Sequence, residues 1–175
     1  AANAIDVGAS IINDITAGGI DEEMLHLAKE KNCTYIMMHM QGTPQTMQTN
    51  PSYKDVVLEL LDFFIEKVGR AKAIGLHDVV VDPGFGFGKT LAHNYQLLNG
   101  LNVFNILDKP LLAGISRKGM LWKPLNSSPE EVLPASIAAN LVALQKGAKI
   151  LRVHDVEATM QLLKTFELLQ QNNVK

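Results

Sequence analysis

Five short polar clusters hold the side chains of this chain that could do chemistry, and each closes a short apolar run. They are Asn13-Asp14, His39 with Gln41, Asp82, Ser116-Arg117-Lys118 and Arg152-Val153-His154-Asp155. The last two gather cations and suit an anion, because hydrogen bonds from ionised donors are the strong ones. Capping of the following helix is the competing role for an Asp or Asn at a strand end. Capping explains a Ser-Arg-Lys triple or an Arg-x-His-Asp run poorly. His39 has no His, Asp or Glu three or four residues on, so a metal pair is rejected there.

The stretch Pro83-Gly84-Phe85-Gly86-Phe87-Gly88-Lys89-Thr90 imitates a phosphate loop without being one. That pattern needs Gly five residues before the Gly of Gly-Lys-Thr, and Pro83 stands there. The dinucleotide pattern fails as well, since its third glycine falls on Lys89. Alternate glycines suit close backbone approach to a flat ligand or a mobile lid. Phe85 and Phe87 can supply rings that stack or wall a pocket.

The elements that must position these groups read as alternating strand and helix. Apolar, β-rich runs at Ala9–Ile12, Tyr35–Met38, Val79–Val81, Leu111–Ala113 and Ile150–Val153 are too continuous for half-exposed strands and read as buried parallel ones. Helical patterns lie between them: Glu22–Lys31 with Asp21 as cap, Asp55–Ile74 stopping at Gly75, Tyr95–Leu107 interrupted by Gly100, Pro134–Lys146, and Glu157–Leu169. Gln170–Lys175 should fray. Units of about 35 residues fit two architectures, a doubly wound sheet or part of an eightfold barrel. Polar groups at all five strand ends favour the barrel, whose strand ends open on one face.

Composition removes several classes. The 175 residues are 47% hydrophobic and 19% charged, against disorder, and 16 basic against 18 acidic side chains leave a net charge of −2 that favours neither nucleic acid nor an anionic membrane. The single cysteine, Cys33, fits a reducing, cytoplasmic setting, and it sits at the wrong end of its strand for catalysis. No apolar run approaches a membrane span and no signal peptide opens the sequence. His26, His77 and His93 read as solvated surface. One domain over residues 1–175 is the expected organisation.

Asp82-Pro83-Gly84-Phe85-Gly86-Phe87-Gly88-Lys89 with Asn94-Tyr95 resembles the dihydropteroate synthase family. So do Asn13-Asp14-Ile15, Met38-His39-Met40-Gln41-Gly42, Ser116-Arg117-Lys118 and Arg152-Val153-His154-Asp155, in the same order. The resemblance implies an α/β TIM barrel of the pterin-binding type, of which this sequence holds about five βα units. It implies a transferase that joins 6-hydroxymethyl-7,8-dihydropterin pyrophosphate to p-aminobenzoate, releasing pyrophosphate, in folate biosynthesis. It also implies a homodimer and Mg²⁺, with the metal ligand in units this sequence lacks.

Residue by residue, the resemblance places Asn13, Ile15, Met38, Asp82, Phe87, Gly114, Lys118 and Arg152 around the pterin. Phe87, Lys118 and Gly119 border p-aminobenzoate, and Arg152 with His154 meets the departing pyrophosphate. Lys118, Arg152 and His154 are the implied catalytic groups. A carboxylate such as Asp82 is a good partner for the guanidine-like edge of a pterin. A cation ~4 Å from a pyrophosphate charge gains about 4 kcal/mol at an effective dielectric of 20, and 1.36 kcal/mol is tenfold in rate. Gly119 stands where many relatives have Ser, leaving only a backbone N–H for the p-aminobenzoate carboxylate. Ser116 reads as orienting Lys118 or capping locally, Arg117 as an outer ion pair, and Trp122 with Pro124-Leu125-Asn126 as a flap or as surface packing.

The first three βα units of the family have no counterpart in this sequence, so these 175 residues alone are expected to be inactive. Two pterin-binding alternatives stay open: a barrel that passes a methyl group from a folate to a corrinoid protein, and a non-catalytic pterin module. The near-miss at Gly84–Thr90 disfavours a doubly wound phosphate-binding regulator.

Overall fold

The computed structural model describes residues 1–172. Its scaffold is a parallel sheet of β1 (Ile11–Asp14), β2 (Thr34–Met38), β3 (Val79–Asp82), β4 (Leu111–Ala113) and β5 (Ala148–Leu151), in the order β1-β2-β3-β4-β5. Around it run α1 (Ala2–Asp6), α2 (Glu23–Glu30), α3 (Val56–Ala73), α4 (Leu91–Asn99), a 3-10 helix (Leu101–Leu107), α5 (Gly119–Trp122), α6 (Leu133–Gln145) and α7 (Val156–Gln171).

Strand order decides between the two architectures. A doubly wound sheet reverses its order at a switch point and so sends helices to both faces. Here the order never reverses, and the helices pack against one face. Tyr35, Met37, Val79, Val81, Leu111 and Ala113 share a core with Leu60 and Phe64 of α3 and Leu97 of α4. Ile36, Val80 and Leu112, at the alternate strand positions, form a separate apolar layer on the other face. This is the arc of a barrel with its interior on the second face.

Local chemistry explains the element ends. Asp55 caps α3 by accepting from the Val57 and Leu58 amides, worth about 1 kcal/mol. Thr90 and His93 form a reciprocal capping box that starts α4 at Leu91, four residues before the expected Tyr95, and the helix ends at Gly100 as a 3-10 turn takes over. Two strand bounds also move by two residues. β1 runs on through Asn13 and Asp14 because a parallel ladder uses the backbone whatever the side chain, and these residues pair with Ile36 and Met37. β5 begins at Ala148, so Arg152 follows the strand rather than lying inside it, although its amide still donates to the Ala113 carbonyl at 3.1 Å. Asp21 accepts from the Glu23 amide at 3.0 Å, but Glu22 is the N-cap of α2. The fraying expected from Gln170 is not seen at that residue, since α7 extends to Gln171; residues 173–175 lie outside the described part.

Candidate active site

Strand alternation lines up the candidate site. Asn13, Met38, Asp82, Gly114 and Arg152 continue the second-face positions of their strands, one step beyond the Ile36-Val80-Leu112 layer for the three central strands. Met38 lies beside Asp82 in the β2–β3 register and is 1% exposed. Asp82 is fully buried. Its Oδ1 accepts from the Gly84 amide at 2.8 Å. Its Oδ2 has Arg152 Nη2 at 2.8 Å, but off the line a hydrogen bond needs, so this oxygen has an ion-pair partner and no aligned donor. Arg152 also reaches Asn13 Oδ1 with Nη1 at 3.4 Å, bridging the two edge strands. Its guanidinium lies over Gly114, where a Cβ would come within 2.7 Å of Nη2. A side chain there would have to push the flexible end of the arginine aside.

The second part is the loop after β3. Gly84 turns there with φ +69°, its backbone pressed so closely on His39 that a Cβ would strike the His39 carbonyl. Lys118, the N-cap residue of α5, donates to the Phe85 carbonyl and holds its ammonium 4.4 Å from the centre of the Phe87 ring. Burial pushes the Lys118 pKa down to about 8, with Asp82 opposing and Arg152 adding to the fall. A cavity of about 170 Å³ lined by Gly114, Ser116, Lys118, Arg152, Val153 and His154 sits beside these cations. A larger cleft of about 610 Å³ runs past Gly86, Asn94, Gly119, Trp122 and Lys123. Arg152 and His154 are exposed, free to meet a ligand.

Several expected roles change. Ser116 does not orient Lys118: its buried hydroxyl lies 3.2 Å from both the His154 amide and His154 Nδ1, and so fixes His154. Arg117 is the expected ion pair, with Nε on Asp155 Oδ2 at 3.0 Å, tying the β4 and β5 loops together. Phe85 is fully buried in the helix-side core and walls no pocket, which leaves Phe87 as the available ring. His93 is half-buried in the capping box and stacks edge-on with Tyr53 at 5.0 Å, so it is not plain solvated surface. Ile15 is half-buried just past β1. Trp122 lines the larger cleft, while Leu125 is 60% exposed. Cys33 is buried at the opposite strand end, as expected.

Lys89 received no role from sequence and is 3% exposed. It donates to His39 Nδ1, Gly84 O and Phe87 O, each at 3.0 Å. Burial lowers its pKa to about 7 against the pull of Asp82, and burial together with Lys89 lowers that of His39 to about 3. The available signal was a lysine at the end of a glycine-rich loop with no acid within four residues. Among the described residues, no group of three His, Cys, Asp or Glu side chains could hold a metal ion, and no helix is long and apolar enough to cross a membrane.

A sequence family described as pterin binding enzyme matches residues 1–154. The dihydropteroate synthase of Escherichia coli strain K12 is 44% identical over 163 residues, which are 92% of this chain and 57% of that protein. Among solved structures, dihydropteroate synthase from Stenotrophomonas maltophilia superposes with TM-score 0.93 at 41% identity, over 98% of this chain and 65% of that one. The Xanthomonas albilineans dihydropteroate synthase, solved in complex with 7,8-dihydropteroate, gives TM-score 0.87 at 36% identity, over 98% and 63%. The chain thus spans less than two thirds of the length of each of these three relatives.

Proposed function

Since the chain belongs to the pterin-binding enzymes, we propose that it carries the pterin and anion half of a dihydropteroate synthase active site. The observation that carries this reading is the buried Asp82 carboxylate, whose Oδ2 lacks an aligned donor on the face shared with Asn13. A pterin edge presents two adjacent donors in a guanidine-like array. Arg152 already offers Asp82 a guanidinium, so a pterin would exchange like for like. Displaced from Asp82, Arg152 joins His154 and Lys118 around the 170 Å³ cavity, which suits a phosphate-bearing leaving group.

The proposed reaction is a dissociative displacement. The C–O bond of the pterin pyrophosphate breaks, the electron pair leaves with pyrophosphate, and the cation spreads over the pterin. The arylamine nitrogen then attacks that carbon and loses a proton. Arg152, His154 and Lys118 face charge that grows on the leaving oxygens, and interactions that strengthen toward the transition state raise the rate. Phe87 and Lys118 wall the arylamine subsite, with the Gly119 amide near its carboxylate. Mg²⁺ would help the leaving group depart, with its ligands expected outside these 175 residues, which alone are expected not to turn over. A cytoplasmic homodimer, implied by the family resemblance, completes the reading.

The test is turnover by the intact protein with 6-hydroxymethyl-7,8-dihydropterin pyrophosphate and p-aminobenzoate. Dihydropteroate with equimolar pyrophosphate is expected. Pterin binding without product would favour the non-catalytic module, and methyl transfer from a folate the corrinoid-linked barrel.

A further inference from the structure

The loop from Gly84 to Gly88 pairs with no strand, yet every one of its carbonyls is held by a side chain. Lys89 takes Gly84 and Phe87, Lys118 takes Phe85, Gln48 takes Gly86 at 2.6 Å, and Tyr53 takes Gly88 at 2.8 Å. Asn94 closes the other side by accepting from the Gly86 amide at 2.7 Å. Of these groups, Lys89 alone binds two loop carbonyls and the end of β2, through His39.

That arrangement is costly. A buried ammonium whose three partners are all neutral acceptors forgoes its hydration with no counter-ion in contact. An apolar side chain of the same length would fill the space but take this donor from the His39 nitrogen and both loop carbonyls, so packing alone does not account for a lysine. The three hydrogens of an ammonium serve the three acceptors at 3.0 Å, with the His39 carbonyl a longer fourth at 3.5 Å, and the result is a link between the end of β2 and both ends of the Gly84–Phe87 turn. The ring that this turn carries stands against Lys118.

We propose that Lys89 is a positioning residue for the arylamine substrate: by clamping the Gly84 and Phe87 carbonyls to His39, it fixes the Phe87 ring against Lys118 and so sets the wall of the arylamine subsite. The substrate named here rests on the synthase reading, whereas the clamp stands on the loop geometry alone. Lys89 is 3% exposed at the edge of the larger cleft, and its ammonium is spent on the loop and His39, through which it acts.

Lys89→Met in the intact protein removes the donors and keeps the chain length. KM for p-aminobenzoate is expected to rise at least tenfold, about 1.4 kcal/mol, while the calorimetric Kd for 6-hydroxymethylpterin stays within about threefold. Amide exchange over residues 84–88 is expected to speed up about tenfold or more, with β2 and β3 still protected. Lys89→Arg should not rescue, because a planar fork cannot converge on three acceptors around one point. A folded Lys89→Met protein with unchanged KM and unchanged loop exchange overturns the proposal, as does an equal loss of affinity for both substrates. If Lys89→Met does not fold, Lys89→Gln, which keeps two donors, is read by the same criteria. Failure of both to fold also overturns it, by making Lys89 a residue of the fold rather than of the loop. If the unaltered protein makes no dihydropteroate, the synthase reading falls, and the exchange comparison still decides the clamp.

Discussion

Asp14 and Asp82 end the first and third strands, and both are buried, yet their surroundings differ. Asp14 points to the helix side, where the Thr16 and Gly18 amides, the Thr16 hydroxyl and the Tyr35 hydroxyl all donate to it. Burial raises its pKa, but those hydrogen bonds outweigh burial and hold it below the usual value. Asp82 points to the barrel interior and keeps one oxygen without an aligned donor. Burial is common to the two, and only satisfaction separates them. A carboxylate whose hydrogen-bonding capacity is filled by its own loop and the neighbouring strand builds the fold, and one with capacity left faces a ligand.

The comparison breaks most visibly at Asp82. Asp82→Ala in the intact protein should weaken pterin binding about 100-fold by calorimetry, since two charge-assisted hydrogen bonds of ~1.5 kcal/mol each are lost. Unchanged affinity would remove Asp82 from the site. Lys118→Ala, which removes the cation over the Phe87 ring, should cut turnover by about tenfold or more through lost transition-state contacts, with little change in melting temperature. A large melting-point drop would mark Lys118 as structural.

Asp14 should behave in the opposite sense. Asp14→Ala strands buried donors, a cost of about 1–3 kcal/mol, or a melting-point fall of roughly 2–12 °C for a protein of this size. Pterin affinity per folded molecule should hold within about threefold; a tenfold loss would erase the distinction between the two aspartates.

The last effect concerns His39. Its folded pKa lies near 3 against an ordinary 6.5, because burial and then Lys89 disfavour the cation. The unfolded chain therefore binds more protons between those values, and this contribution makes stability fall as pH drops through that window. Melting temperature followed from pH 7 to 4 should decline less steeply in His39→Gln, and an identical slope would contradict the shift.

Much of this was legible in the sequence. Continuous apolar runs ending in polar residues gave the parallel sheet, and Asn13, Asp82, Lys118 and Arg152 do converge. What was not legible depends on which face a side chain takes. Asn13 and Asp14 are adjacent and equally polar, but alternation sends one to the interior and the other to the helices. The Ser116–His154 and Lys89–His39 contacts escaped because they join residues 38 and 50 apart, on neighbouring strand ends, and no local spacing encodes such pairs.

The most direct test is a crystal structure of the intact protein with 6-hydroxymethylpterin bound. Asp82 Oδ2 should lie roughly 2.7–3.2 Å from a pterin nitrogen, with Arg152 withdrawn from the carboxylate toward His154. A pterin seated elsewhere, with the Asp82–Arg152 pair intact, would contradict the account.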